Sequence, residues 1–164
     1  MPFRRSCNCC CQNHPSPITC CSCQSCTENQ VVNPALQGSF GFFNNVDIGS
    51  VANNGTLPVN LVQSQGSGIS SNGSGAISLS AGNYEVSYFA QGTVPVTGRL
   101  SVGLELNGVL IEGSQITSEQ EVGSVETLSQ TVLISVTDNS TLELVNLSGQ
   151  NTTFSTASVF VRRL

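Results

Sequence analysis

The chain has 164 residues, enough for one ordinary domain with its own core plus a short additional segment. Only 9% of the residues are charged, and Gly, Ser, Thr, Asn and Val dominate, a composition typical of strands and turns rather than helices. The formal net charge of −5, with arginine as the only strong base, leaves no basic stripe for a phosphate backbone and argues against nucleic-acid binding.

All cysteines lie in one short N-terminal stretch, and none occurs after Cys26. The composition changes between Thr27 and Pro34, so we predict an irregular Cys-rich arm over residues 1–34 and a β-type body over residues 35–164. A body of that length can bury a core without covalent staples. The eight cysteines are Cys7, Cys9, Cys10, Cys11, Cys20, Cys21, Cys23 and Cys26.

These thiols need partners that are not their sequence neighbours, because adjacent cysteines fit normal disulfide geometry poorly. The body offers none, so the partners are the other half of the arm or the arm of another subunit. We predict disulfides between subunits. Two alternatives stay open: bridges within one arm, and a zinc or thiolate-cluster site that could include His14.

The N-terminus shows no targeting or membrane signal. Met1–Arg5 is followed by polar and Cys-rich residues instead of an apolar segment, and no stretch is long and apolar enough to span a bilayer. We therefore expect a soluble protein without a cleaved signal peptide and without a membrane partner.

The body reads as a series of short strands separated by turn signals. Arg99–Ile111 is predicted to be a hairpin, because Asn107-Gly108 suits a type I′ turn between two apolar-alternating runs. About eight to ten strands and no helical periodicity predict an all-β sandwich or barrel. The other runs are Phe40–Phe43, Leu57–Val62, Ala76–Leu79, Tyr84–Ala90, Val125–Val136, Leu142–Leu147 and Phe154–Val161.

Some of these runs are apolar on both faces, notably Val132–Ile134 and Val159–Val161. A strand of a monomeric sandwich needs only one apolar face, so the second must be covered by another subunit or by neighbouring loops. We predict subunit packing through Phe40, Phe42, Phe43, Val159, Phe160 and Val161.

The body has no histidine, cysteine or lysine, so its many serines have no evident activating base. Glu119, Glu121 and Glu126 could supply paired carboxylates, but they fall in a polar stretch that we interpret as a loop with a solvated charge run. We expect no catalytic residues, no cofactor, and no enzyme activity.

Four segments of the body carry a family resemblance: "GSFGFF", "LSAGNYEVSYFA", "RLSVGLELNGVLIEGS" and the closing "TASVFVRRL". An opening aromatic strand, a central Gly-x-Tyr strand, an Asn-Gly hairpin and a final apolar strand resemble the jelly roll shared by the complement globular head, tumour necrosis factor and the C-terminal domains of collagen-like glycoproteins on bacterial spore surfaces. The resemblance covers residues 37–164. It implies a jelly-roll sandwich, a homotrimer, and a role in display or assembly.

The chain departs from this family ahead of the body, where the Cys-rich arm stands in place of a Gly-X-Y collagen stalk. Clustered cysteines before a β domain resemble the N-terminal connectors of bacterial endospore appendage proteins, which join subunits covalently into fibres. Such a protein would fold with free thiols in a spore-forming mother cell and oxidise after that cell lyses.

The leading hypothesis is therefore a structural, self-assembling protein of the bacterial spore surface, either an appendage fibre or an exosporium subunit. Its partners would be copies of itself, as a trimer or a larger fibre assembly, and other spore-surface proteins. The alternatives are a trimeric lectin-like or receptor-like binding head and a thiolate metal-binding protein.

Overall fold

A computed structural model describes residues 38–164, which form eleven strands and no helix. This confirms the predicted all-β jelly-roll sandwich, with one strand more than the upper expectation. The predicted arm and its boundary at residue 34 lie outside the described residues. The strands are β1 Phe40–Val51, β2 Asn60–Gln65, β3 Ile69–Gly73, β4 Ala76–Leu79, β5 Gly82–Thr93, β6 Gly98–Leu106, β7 Val109–Leu110, β8 Ile116–Gln120, β9 Glu126–Val136, β10 Ser140–Asn146 and β11 Thr152–Arg163.

The strands form two antiparallel sheets that enclose one apolar core. The five-stranded sheet has the order β2-β1-β11-β5-β9, and the six-stranded sheet has the order β3-β4-β10-β6-β7, with β8 also paired to β6. The last strand of the chain, β11, lies at the centre of the first sheet, between the first strand and β5. The five-stranded sheet is therefore complete only when the C-terminal strand has paired with both β1 and β5.

Alternating burial along the strands explains why these segments form a sandwich. On β5, Tyr84, Val86, Tyr88 and Ala90 are buried, and the residues between them point to the other face of the sheet. The predicted hairpin is confirmed: Asn107 and Gly108 adopt φ values of 54° and 76° between β6 and β7.

A buried polar network ties the two sheets together near Tyr88. The Tyr88 hydroxyl contacts the carbonyl oxygen of Ser114 and lies 2.8 Å from Oε1 of Gln130. The Ser114 hydroxyl in turn lies 3.1 Å from the backbone nitrogen of Leu104 on β6. Side chains of β5 and β9 thus hold the segment between β7 and β8 against the core.

Among residues 38–164 there is no helix with the length and hydrophobicity that a membrane crossing requires.

Tyr84 and Tyr88, the chain's two tyrosines, predict a loss of stability at alkaline pH. Burial raises the pKa of Tyr88 to about 12 and also raises the pKa of Tyr84, which the nearby Arg163 opposes. The folded state therefore holds these protons more tightly than the unfolded state. Their contribution to the free energy of unfolding is complete below pH 10 and should be lost as the pH rises towards 12.

Absorbance at 295 nm measures this directly, because tryptophan is absent. We expect tyrosinate to appear together with unfolding, and Tyr88→Phe to weaken the pH dependence between 10 and 12. Ionisation near pH 10 in the folded protein would contradict the assignment.

Phe43 and Phe42 are neighbours on β1 but lie on opposite faces, and they predict different costs of truncation. Phe43 is fully buried in the core, whereas Phe42 is half-buried on the outer face. We expect Phe43→Ala to lower the free energy of unfolding by about 3–5 kcal/mol, the usual cost of emptying a core aromatic position. Urea titration of the reduced protein should show less than half that loss for Phe42→Ala. Equal losses would contradict the assignment of Phe43 to the core and Phe42 to the outer face.

Candidate assembly surface

The eight predicted disulfide cysteines lie outside the described residues, so their pairing stays a prediction. Within residues 38–164, His, Cys, Asp and Glu side chains form no group of three or more that could hold a metal ion.

The six residues predicted to pack between subunits fall into two sets. Phe43, Val159 and Val161 are fully buried in the core of the sandwich, so they cannot contact a second subunit. Their prediction as packing residues is corrected by this burial. Phe40, Phe42 and Phe160 are half-buried and point away from the core. The split follows from the two-residue period of a strand, which sends neighbouring side chains to opposite faces.

On this outer face of the five-stranded sheet, the register of β1, β11, β5 and β9 aligns side chains into four rows. Adjacent strands are about 4.8 Å apart, so residues of one row contact each other across the strands. We call these four rows the outer face. The rows are Phe40-Arg162-Glu85-Leu133, Phe42-Phe160-Ser87-Thr131, Asn44-Ser158-Phe89-Ser129 and Val46-Thr156-Gln91-Thr127.

Phenylalanine is concentrated on this face. Phe40 and Phe160 stack with ring centroids 6.1 Å apart and ring planes inclined by 28°, and Phe42 lies opposite Phe160. Phe89 adds a fourth half-buried ring in the next row. Only two phenylalanines after residue 38, Phe43 and Phe154, lie in the core. More phenylalanine rings therefore face outward on this sheet than inward.

One ion pair lies among the side chains of the outer face. Arg162 Nη2 donates to Glu85 Oε2 at 2.6 Å, and both residues sit in the first row between Phe40 and Leu133. No other charged side chain occurs in the four rows. Apart from the phenylalanines, Leu133 and Val46, the other positions carry hydroxyl or amide groups, as in the contact between Ser87 Oγ and Thr131 Oγ1 at 2.7 Å.

The outer face also contains an open cleft of about 500 Å³. Hydroxyl groups of β5, β9 and β11 line it together with two of the phenylalanine rings. A surface that combines phenylalanine rings with neutral hydroxyl groups can exclude water from a contact without leaving an unpaired charge. The lining residues are Ser87, Tyr88, Phe89, Ser129, Gln130, Thr131, Ser158 and Phe160.

The packing set predicted from the sequence did not include Phe89, Glu85 or Arg162. Their signal lies in the pairing of β11 with β5, which aligns Arg162 with Glu85 and Ser158 with Phe89. Strand order is not visible in the alternation of one strand. The central position of β11 was therefore needed to find them.

The acidic stretch predicted as a loop is partly strand, which corrects that interpretation. Glu119 lies in β8 and Glu126 begins β9. Glu126 Oε2 accepts a hydrogen bond from Gln120 Nε2 at 3.2 Å, while Ser124 donates to Gln120 Oε1 at 2.6 Å. These contacts close the turn between the two strands.

The sequence matches no protein-family model and no curated protein. Solved structures show the fold clearly. Murine APRIL at pH 5.0 aligns with a TM-score of 0.64 and 12% identity over 78% of this chain and 100% of its own. The globular domain of zebrafish complement 1qA aligns with a TM-score of 0.58 and 12% identity, over 76% of this chain and 95% of its own.

These similarities define the class of the described part: a jelly roll of the kind found in tumour necrosis factor-like and complement globular-head proteins. At 12% identity they show the fold alone. The predicted jelly-roll class is thereby confirmed.

Proposed function

We propose that this protein is a structural, self-assembling subunit of the bacterial spore surface, in which bodies pack through the outer face and N-terminal disulfides join neighbouring subunits. The observation that carries the proposal is the group of Phe40, Phe42, Phe89 and Phe160 on the outside of one sheet. A contiguous aromatic surface on a soluble domain marks a contact with another molecule.

A second copy of the chain is the partner that this surface fits best. The resemblance to the jelly-roll family implies a homotrimer, and the face is aromatic, low in charge and centred on one sheet. Interface cores are enriched in aromatic residues and arginine and depleted of other charges, which describes the four rows. Arg162 and Glu85 already pair within one subunit, so covering them leaves no lone charge.

The arm supplies a covalent step after the bodies have met. Its cysteines have no partner in the body's sequence, so bonds between arms would fix contacts that the outer face has positioned. The fold similarity supports the body's part in this proposal, and the density of cysteines supports the arm's. No catalytic role is included, because the body has no histidine, lysine or cysteine.

The second candidate function is a trimeric binding head that displays its loops to a ligand. The similarity to the APRIL and complement 1qA structures favours it, because the fold is the same. It shares the outer-face contact with the leading proposal but needs no polymer. Selective ligand binding by a protein that forms no covalent ladder would favour it.

Phe160→Asp should break the outer-face contact. The substitution places a charge among the rings, and loss of a central aromatic anchor typically costs association about 2–4 kcal/mol. We expect light scattering of the reduced protein to show a fall from oligomer to monomer, with the β-sheet circular dichroism unchanged.

Thr153→Asp is the matched control, because Thr153 is an exposed residue of the same strand outside the four rows. It should leave the mass of the oligomer unchanged. If Phe160→Asp and Thr153→Asp both keep the wild-type mass, the outer face is not the subunit contact.

Gel electrophoresis of the full chain with and without reductant tests the arm. We expect high-mass ladders that collapse on reduction and that are absent when all eight cysteines are replaced by serine. Monomer in every lane would remove the covalent step. Stoichiometric zinc or copper bound to fully reduced thiols would establish the thiolate metal-binding alternative instead.

A further inference from the structure

The two sheets end in edge strands whose outer backbone groups are open to pairing, and proteins usually protect such edges with bulges, short strands or charges. Most edges of this molecule carry such a device. β2 has an irregularity at Val62, and β3 is short with a register shift between Ser71 and Gly73. β7 has two residues, and β8 has five and includes Glu119.

The remaining edge strand, β9, is long and has no bulge, and its only charged residue is Glu126 at its first position. Its eleven residues pair with β5 without interruption, from Glu126 to Val136. The segment 127–137 contains no charged residue and no proline, and the Leu133 side chain is 72% exposed. Within residues 38–164, no strand pairs with its second edge. A long, regular edge with no charge beyond its first residue is suited to strand addition.

We propose that β9 pairs antiparallel with β9 of a second copy, about a two-fold axis near Leu133, and so extends the five-stranded sheet across two subunits. Strand pairing proceeds in the plane of the sheet, whereas the outer face packs perpendicular to it. The contact is therefore distinct from the proposed aromatic contact and goes beyond it.

Symmetry and charge both favour a second copy in antiparallel orientation. A two-fold contact needs only one self-complementary patch, and a strand whose single charge lies at one end meets itself in antiparallel orientation without like charges opposed. The acidic residues Glu119, Glu121 and Glu126 lie towards one end of β9. Glu126 is seven residues from Leu133, about 23 Å along the strand, so the two copies' acidic ends would be separated by roughly 46 Å. Parallel pairing would instead place them side by side, within the screening distance of about 8 Å.

The β9 contact would allow the assembly to grow beyond one closed ring. A ring closed through the outer face has no free copy of that contact and stops, whereas a second, independent contact can link rings to one another. The β9 contact would provide that link before any disulfide forms.

Hydrogen exchange of the full chain, reduced and alkylated so that no disulfide can form, tests the contact without any substitution. Because alternate amides of an edge strand point outward, we expect about half of the amides in residues 127–136 to exchange at least tenfold more slowly at high than at low protein concentration. Equal exchange at both concentrations would overturn the proposal.

Ser135→Lys tests the same contact by mass, because Ser135 is exposed on β9 outside the four rows of the outer face, and the two-fold axis near Leu133 places the two introduced charges in the same contact. Val109→Lys is its matched control, because Val109 is 69% exposed and lies outside β9. Light scattering should show Ser135→Lys arrested at the oligomer set by the outer face, with Val109→Lys as wild type. The hydrogen-exchange comparison, which needs no substitution, keeps the test valid if Ser135→Lys fails to fold.

Different substitutions should disrupt the outer-face contact and the β9 contact. Phe160→Asp should remove the outer-face oligomer and keep the concentration-dependent protection of β9, while Ser135→Lys should do the reverse. Ser135→Lys behaving as wild type, or falling to monomer together with Phe160→Asp, would contradict an independent β9 contact.

Discussion

The register of β11 between β1 and β5 is the constraint on which the rest of the structure depends. It places Val159 and Val161 in the core and Phe160 on the outer face, opposite Phe42. Because the side-chain period of a strand is two, a slip by one residue would bury Phe160 and expose both valines. The same hydrogen bonds therefore define the core and the surface proposed for assembly.

The core of the body and the surface proposed for association are built from different residue types. Its core is built from aliphatic side chains with Phe43, Phe154 and two hydrogen-bonded tyrosines, and no residue after Cys26 contains sulfur. Most of its remaining phenylalanine lies outside, where it does nothing for the core of one subunit. In the proposed assembly, non-covalent packing positions the subunits and the thiols of the arm fix them afterwards.

Local patterns were sufficient to predict the fold class. Alternation along β5 and the positive-φ pair Asn107-Gly108 are decided within a few residues, and the structure has both as expected. The outer face was only half predictable, because assigning Phe43 and Phe42 to opposite faces needs the position of the core. Asn146 gave no local signal at all: it is fully buried and donates to the carbonyl oxygen of Val51 at 3.0 Å, a contact across 95 residues.

The central claim is that the body associates through its outer face without help from sulfur. Native mass spectrometry of the full chain, with every thiol reduced and alkylated, measures this most directly. The account predicts a discrete oligomer built on three copies, which persists at micromolar concentration or below. A protein that remains a folded monomer throughout the concentration range would contradict it.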